Sequence, residues 1–203
     1  IIAYNEEGTI KSVIEDIRMY APYADIIVVD DCSTDRTEHI ARSKGVPVIS
    51  HLTNSNTAGF AAVKTAMIYA SLYGYDICCQ VDGDGQHNAA FLSNIIEPIR
   101  RDEADFVIGS RFLETQGYTS TKTRIIGIKI FSLITSIIVG QRIYDVTSGF
   151  KATGAKIIKL FAQYPHIIHD TNEMIILASL HGARVTEVPV CMNNRKGGKS
   201  WYS

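Results

Sequence analysis

Apolar residues fall along this chain in two alternating rhythms. Short runs at 26–29, 47–50, 77–81 and 106–108 read as strands, and the β-branched run 26–29 is typical of a strand buried on both faces. Between them the apolar positions recur at helical spacing: Ile10, Val13, Ile14 and Ile17 mark one helix. Residues 36–44, 58–73 and 89–101 read as three more, with Gly74 stopping the second of these. Residues 1–3 read as the end of a first strand. Asn5-Glu6-Glu7 then predicts a helix start whose first-turn carboxylates complement the dipole. Ser33, Thr34 and Asp35 can cap the helix that follows them. This β-α-β-α-β-α-β-α-β order predicts an α/β fold: an open, mostly parallel sheet flanked by helices.

The second half is less regular. It predicts an amphipathic helix at 123–138, a loop and strand at 145–151, helices at 156–161 and 170–181, a strand at 184–190 and a loop at 193–203. The longest apolar run, 125–139, is interrupted by Lys129 and falls short of the roughly 18 residues that argue for a transmembrane helix. A chain of 203 residues with 46% apolar content suits one domain with a substantial core. Its net charge of −1 sets up no global attraction to nucleic acid, although local basic clusters could hold phosphate. Cys32, Cys78, Cys79 and Cys191 lack metal or disulfide spacing and read as reduced, mostly buried thiols of a cytosolic protein. The abrupt opening at Ile1 and the polar close at Ser203 read as a chain cut at both ends.

Carboxylates gather where the predicted strands end, which is where open α/β sheets bind ligands. Asp82-Gly83-Asp84-Gly85-Gln86-His87 follows the apolar run 77–81 directly. Two carboxylates two residues apart can be aimed into one pocket by an irregular turn, and the glycines clear room for a diphosphate. Magnesium and manganese take oxygen ligands and share them with substrate phosphates. The plainer reading is a polar turn that caps the next helix.

Three segments carry a family resemblance, in order and at suitable spacing. They are Ile2-Ala3-Tyr4-Asn5-Glu6-Glu7, Val28-Val29-Asp30-Asp31-Cys32-Ser33-Thr34-Asp35-Arg36-Thr37 and Val81-Asp82-Gly83-Asp84-Gly85-Gln86-His87. They resemble the family-2 glycosyltransferases of GT-A fold, and within these the dolichyl-phosphate mannose synthase-like branch, which charges polyprenyl phosphates. Gly109-Ser110-Arg111-Phe112, Asp145-Val146-Thr147-Ser148-Gly149-Phe150-Lys151, Glu187-Val188-Pro189-Val190 and Arg195 through Gly198-Lys199-Ser200 extend the likeness over nearly the whole chain. Departures are Ile2 for the usual proline, Cys32 for glycine and Gly83 for alanine. In the stretch that relatives often write N-x-G-x-G-A-A, Ala58 and Phe60 replace glycines.

The resemblance implies a nucleotide-sugar-binding half at 1–112, and an acceptor half with a lid loop at 113–203. Tyr4 and Glu6 would border the nucleotide, and Asp30 would accept from a uracil or guanine edge; Asp30 and Asp31 could instead be capping residues. Asp82, Asp84 and Gln86 would surround Mg2+ or Mn2+, with Asp82 also facing the donor and Asp84 serving catalysis. Arg111 and Arg124 are candidates for an acceptor phosphate, since guanidinium forks match its oxygens, or are ordinary surface arginines. Ser148 could add a hydroxyl. Arg195 and Lys199 would cover the donor diphosphate as a lid, or form a solvated basic tail.

Asp170 and Glu173 are either a general base for a hydroxyl acceptor or the cap of the helix at 170–181. A phosphate acceptor is already ionised and needs no base. The expected activity is inverting transfer of a sugar from a UDP- or GDP-linked donor to a polyprenyl phosphate, with a glycan hydroxyl as the alternative acceptor. A nucleotidyltransferase and a non-catalytic nucleotide-sugar-binding module are rivals; a dehydrogenase lacks its G-x-G-x-x-G here. The helix at 123–138, with Lys122, Arg124 and Lys129 near its start, predicts either an interfacial helix or one packed on the core. The former agrees with a cytoplasmic protein peripheral at the inner face of a membrane.

Overall fold

The computed structural model describes residues 1–54, 57, 59–113 and 122–193, and the side chains of residues 122–124 also lie outside the described set. The strands are β1 (Ile2–Ala3), β2 (Val28–Asp30), β3 (Val48–Ser50), β4 (Ile77–Gln80), β5 (Phe106–Ser110), β6 (Lys151–Gly154) and β7 (Val185–Pro189). The helices are α1 (Ile10–Tyr20), α2 (Thr37–Ser43), α3 (Phe60–Leu72), α4 (Leu92–Arg100), α5 (Lys122–Val139), α6 (Ala155–Gln163) and α7 (Thr171–Leu180). A 3-10 turn, Ala89–Phe91, precedes α4. β1, β2 and β3 are parallel neighbours, while β6 is inserted antiparallel between β4 and β5, and β7 lies parallel to β5. Ile2 joins the two groups: its N–H donates to Val81 O at 2.9 Å and its carbonyl accepts from Gly83 N–H at 2.8 Å. The result is an open, mostly parallel sheet with strand order β3-β2-β1-β4-β6-β5-β7.

Helices cover both faces. Val63, Met67, Phe106, Ile108, Ile157, Phe161 and Ile175 pack between the sheet and α3, α6 and α7. Val13, Ile17, Leu92, Ile95, Val107 and Phe150 fill the opposite side under α1 and α4. The predicted helix start at Asn5-Glu6-Glu7 is corrected: α1 begins at Ile10 and carries no acidic residue in its first turn. Tertiary hydrogen bonds claim that segment instead. Asn5 N–H donates to Ser33 Oγ at 2.9 Å, Glu6 N–H to Thr37 Oγ1 at 2.7 Å and Glu7 N–H to Asp35 Oδ2 at 3.1 Å. Asn5 takes a left-handed φ of 54° to make the turn. The cysteines form no disulfide, but they are less buried than expected: Cys32, Cys78 and Cys79 are half-buried and Cys191 is exposed.

α5 is amphipathic in an unusual sense. Its inner side presents Ile128, Ser132 and Thr135, with Ser132 Oγ donating to Ile143 O and Thr135 Oγ1 to Asn172 Oδ1 at 3.2 Å. Its outer side leaves Ile126, Ile130, Phe131, Leu133, Ile134, Ile137 and Ile138 exposed, Ile137 by 72%. Among the described residues, no helix is long and apolar enough to cross a membrane.

Candidate active site

The carboxyl ends of β1, β2, β4 and β5 and the beginning of β6 meet at one edge of the sheet. At the end of β2 the buried Asp30 accepts from Ser33 N–H at 3.1 Å and from Ser33 Oγ. Burial holds its carboxyl above the usual carboxylate range, against those two bonds. Beside it, buried Asp31 Oδ1 lies 2.7 Å from His51 Nδ1, and His51 Nε2 lies 2.9 Å from Thr65 Oγ1. This Asp31–His51–Thr65 chain pins the ends of β2 and β3 to α3. Cys32 takes a left-handed φ of 67°. Tyr4 is half-buried at the end of β1, and Glu6 Oε2 accepts from Thr9 Oγ1 at 3.0 Å.

The turn after β4 is tightly built. Thr9 Oγ1 donates to Gly83 O at 2.7 Å. A Cβ on Gly83 would stand 3.2 Å from both Ala3 Cβ and Ile2 O, so glycine lets the turn lie against β1. Asp82 is 40% exposed at its side chain, and its Oδ1 accepts from Gln80 Nε2 at 3.2 Å. His87 Nδ1 accepts from Asp82 N–H at 2.9 Å, which places the proton of the neutral ring on Nε2, 3.6 Å from Asp82 Oδ2. Burial lowers the His87 pKa against the pull of Asp82 and Asp84, and the ring stacks on Phe150 at 4.9 Å. Gly149 approaches so closely that a Cβ there would sit 2.9 Å from Asp82 Oδ2. Asp84, only 8% exposed, accepts from Gln86 N–H at 2.9 Å.

Capping does not explain this turn. Asn88 caps the following 3-10 turn, its Oδ1 accepting from Ala90 N–H at 3.0 Å, so neither Asp82 nor Asp84 is needed there. Two carboxylates on one turn, with the Gln86 amide beside them, are hard oxygen donors of the kind Mg2+ and Mn2+ take. Among the described residues, no group of three or more His, Cys, Asp or Glu forms a cage. A two-carboxylate site that leaves positions for phosphate oxygens and water fits these cations.

Two of the residues expected to serve an acceptor, Arg111 and Ser148, are engaged within the chain. Arg111 is not poised as a bare phosphate fork. Its Nε and Nη2 each donate to the fully buried Asp145 at 2.7 Å, and Nη2 also donates to Thr147 Oγ1 at 2.6 Å. Glu187 braces the same loop by accepting from Tyr144 and Asp145 N–H, both at 2.7 Å, and burial raises its carboxyl against those bonds. Ser148 is buried, and its hydroxyl donates inward to Gly109 O at 2.7 Å.

Asp170 and Glu173 form a capping box. Asp170 Oδ1 accepts from Glu173 N–H at 2.8 Å, and Glu173 Oε2 accepts from Asp170 N–H at 3.3 Å and from His169 N–H. Asp170→Ala is expected to cost about 1 kcal/mol of stability, a fall of roughly 2–4 °C in Tm for a chain of this size. A thermal melt that does not move would remove the capping assignment. The Arg124 side chain, Arg195 and Lys199 lie outside the described residues. Asn193, the last described residue, is held by the carboxylate turn: its N–H donates to Gln86 O at 2.8 Å and its Nδ2 to Gly85 O at 3.1 Å.

Sequence reasoning missed His51, Glu187 and Lys151. Their partners are 14 to 43 residues away, and only the fold brings them together.

The family model described as Glycosyl transferase family 2 matches residues 1–161. This chain belongs to glycosyl transferase family 2. Among its family-2 relatives is the UDP-N-acetylglucosamine–dolichyl-phosphate N-acetylglucosaminyltransferase of Methanococcus voltae, 29% identical over 210 residues, covering 94% of this chain and 82% of that protein. Another is the undecaprenyl-phosphate mannosyltransferase of Micrococcus luteus, 29% identical over 212 residues, covering 100% and 86%. In fold, the family-2 chain is similar to glucosyl-3-phosphoglycerate synthase from Mycobacterium tuberculosis, solved with Mn2+, uridine-diphosphate and phosphoglyceric acid. The TM-score is 0.64 at 17% identity, covering 97% of this chain and 69% of that one. The GT-A fold and the family expected from the motifs are both borne out.

Proposed function

We propose that this chain is an inverting glycosyltransferase that moves a sugar from a UDP- or GDP-linked donor to a polyprenyl phosphate. The observation that carries the reading is the likeness, across nearly the whole chain, to transferases named for dolichyl and undecaprenyl phosphate. The capping box supports it, because Asp170 and Glu173 are engaged in holding α7 and an ionised acceptor needs no base. Residues 1–112 serve the donor, and residues 113–203 form the acceptor half and the lid loop.

In this reading Tyr4 and Glu6 border the nucleotide, and Asp30, held in place by Ser33, accepts from the base edge. Asp82 and Asp84, with Gln86 beside them, hold Mg2+ or Mn2+, which offsets charge developing on the leaving diphosphate. A phosphate oxygen of the acceptor forms the new bond to the anomeric carbon. The bond to the donor diphosphate breaks on the opposite face and its electron pair leaves with the nucleoside diphosphate, with no proton to remove. Arg195 and Lys199 cover the diphosphate as a lid. Arg124, in the first turn of α5, supplies charge for the acceptor phosphate, while Arg111 shapes the loop around it through Asp145.

The test is incubation with Mn2+, UDP- and GDP-sugars and polyprenyl phosphate, following sugar into an organic extract. Release of pyrophosphate, or transfer to a glycan hydroxyl with none to the lipid phosphate, would overturn the reading.

A lipid-linked acceptor must be met at a membrane surface. The exposed apolar side of α5, with Lys122, Arg124 and Lys129 on the same helix, suits an interfacial position. Each basic residue near an anionic surface contributes about 1 kcal/mol. Flotation with anionic vesicles is expected at low salt and is expected to weaken when all three are replaced by glutamine. Binding that is absent, or indifferent to both salt and the replacement, would separate α5 from the membrane.

A further inference from the structure

Lys151 is fully buried, and the mechanism above gives it no task. It opens β6, which runs antiparallel to β4 and pairs Lys151 with Gln80. Directly opposed residues on such strands share a face of the sheet. Gln80 in turn holds Asp82 through its Nε2, while its own Oε1 is buried without a partner. On the other side Lys151 Nζ donates at 3.0 Å to Thr171 Oγ1, the first residue of α7, and Thr171 Oγ1 donates on to Ser148 O at 3.3 Å. The ring of Phe60, the first residue of α3, lies with its centroid 5.4 Å from Nζ. One ammonium therefore stands where the capping turn of α7, the start of α3 and the strand leading to Asp82 come together.

The surroundings under-serve that ammonium. It has three donor hydrogens, and among the described residues Thr171 Oγ1 is its one hydrogen-bond acceptor. Taking a charge out of water is expensive unless it is paired and well bonded. A single hydroxyl and a ring face return little of that cost, and methionine would fill the space more cheaply. Burial accordingly pulls the lysine pKa down to about 8, with Asp82 and Asp170 opposing the fall. The groups that favour the charge are thus Asp82 of the carboxylate turn and Asp170 of the α7 cap.

We propose that Lys151 is a positioning residue for sugar transfer, fixing the capping turn of α7 through Thr171 and setting a buried positive charge behind Asp82 and Asp170. This rests on the reading that a nucleoside-diphosphate sugar meets a phosphate acceptor. Two anionic reactants then converge on a site lined with carboxylates, and an internal cation lowers the repulsion between them without touching either. Lys151 is fully buried with the ring of Phe60 beside it, and a charge kept from water keeps its field strong.

Lys151→Met and Lys151→Arg separate charge from packing. Lys151→Met is expected to melt at or above the Tm of the unaltered protein and to bind UDP with Mn2+ within about threefold in calorimetry. Its kcat for transfer is expected to fall about 30-fold with donor KM nearly unchanged. That is the scale of a unit charge acting over several ångströms at an effective dielectric of about 20. Lys151→Arg restores most of the kcat. Full activity in Lys151→Met overturns the proposal, as does a low Tm with equal inactivity in both variants. If the unaltered protein transfers nothing to polyprenyl phosphate, the acceptor reading fails and donor hydrolysis by water becomes the readout. A kcat loss in Lys151→Met then upholds the positioning role of the lysine and removes its part between two anions, and unchanged hydrolysis removes both.

Discussion

Asp84→Ala is expected to abolish Mn2+-dependent binding of a nucleoside diphosphate and to lower sugar transfer by at least about 10³-fold. The magnitude follows from losing several kcal/mol of charge stabilisation on the leaving group. Asp84 belongs to a turn that the structure shapes for close approach: Gly83 lies against β1 and Gly149 against Asp82. Asn88 has already taken the capping work, so the fold does not need the Asp84 carboxylate for it. The bond from Gln86 N–H is worth about 1 kcal/mol, and the variant is expected to remain folded. Asp84→Asn keeps an acceptor oxygen for Gln86 while removing the charge, and it should fail in metal binding nearly as completely. Calorimetry with UDP or GDP, with and without Mn2+, decides the matter. An unchanged affinity in a variant with a normal melt would end the metal assignment.

The second large effect is on stability. Arg111→Met removes one member of the Arg111–Asp145 pair and leaves a carboxylate with no exposure and no counter-charge from that side chain. Breaking a buried pair this way typically costs about 3–5 kcal/mol. The remaining bonds to Asp145, from the N–H groups of residue 111 and Thr147, place the expected loss near the lower end. The pairs Arg36–Glu7 and Arg42–Glu38 each join through a single Nε contact, at 3.1 and 2.8 Å, and lie in water. Replacing either arginine with methionine is expected to cost less than about 1 kcal/mol. Urea unfolding of the three variants tests this directly. If Arg111→Met unfolds at the parent midpoint and only raises KM for polyprenyl phosphate, then Arg111 is an acceptor contact rather than a brace.

The parts of the fold legible in the sequence were those where local pattern and tertiary role agree. Runs such as 26–29 and 77–81 could only be buried strands, and the carboxylates following them marked the binding edge. The antiparallel β6 was harder to read. Lys151-Ala152-Thr153-Gly154 is short, opens on a charge and contains glycine, yet it is buried throughout. Its identity comes from the two strands that flank it. Asn5-Glu6-Glu7 misled for a related reason. Its composition fits a helix start, but the loop at 33–37 offers better partners to its backbone. In the candidate site the metal-type carboxylates were plain, whereas the tasks of Arg111 and Ser148 were not. Both residue types can serve a ligand, and only the positions of Asp145 and Gly109 turn them inward.

Asn193 is tied to the carboxylate turn by two hydrogen bonds. Asn193 is the last described residue, and its two hydrogen bonds end on Gly85 and Gln86. Any displacement of that turn when a charged ligand arrives is passed straight to Asn193. Linkage makes such a connection reciprocal: whatever free energy the ligand contributes to holding Asn193 in place, a well-held Asn193 returns as ligand affinity. The turn and Asn193 are in that sense one unit, and Asn193→Ala is felt at the carboxylates although it touches neither of them.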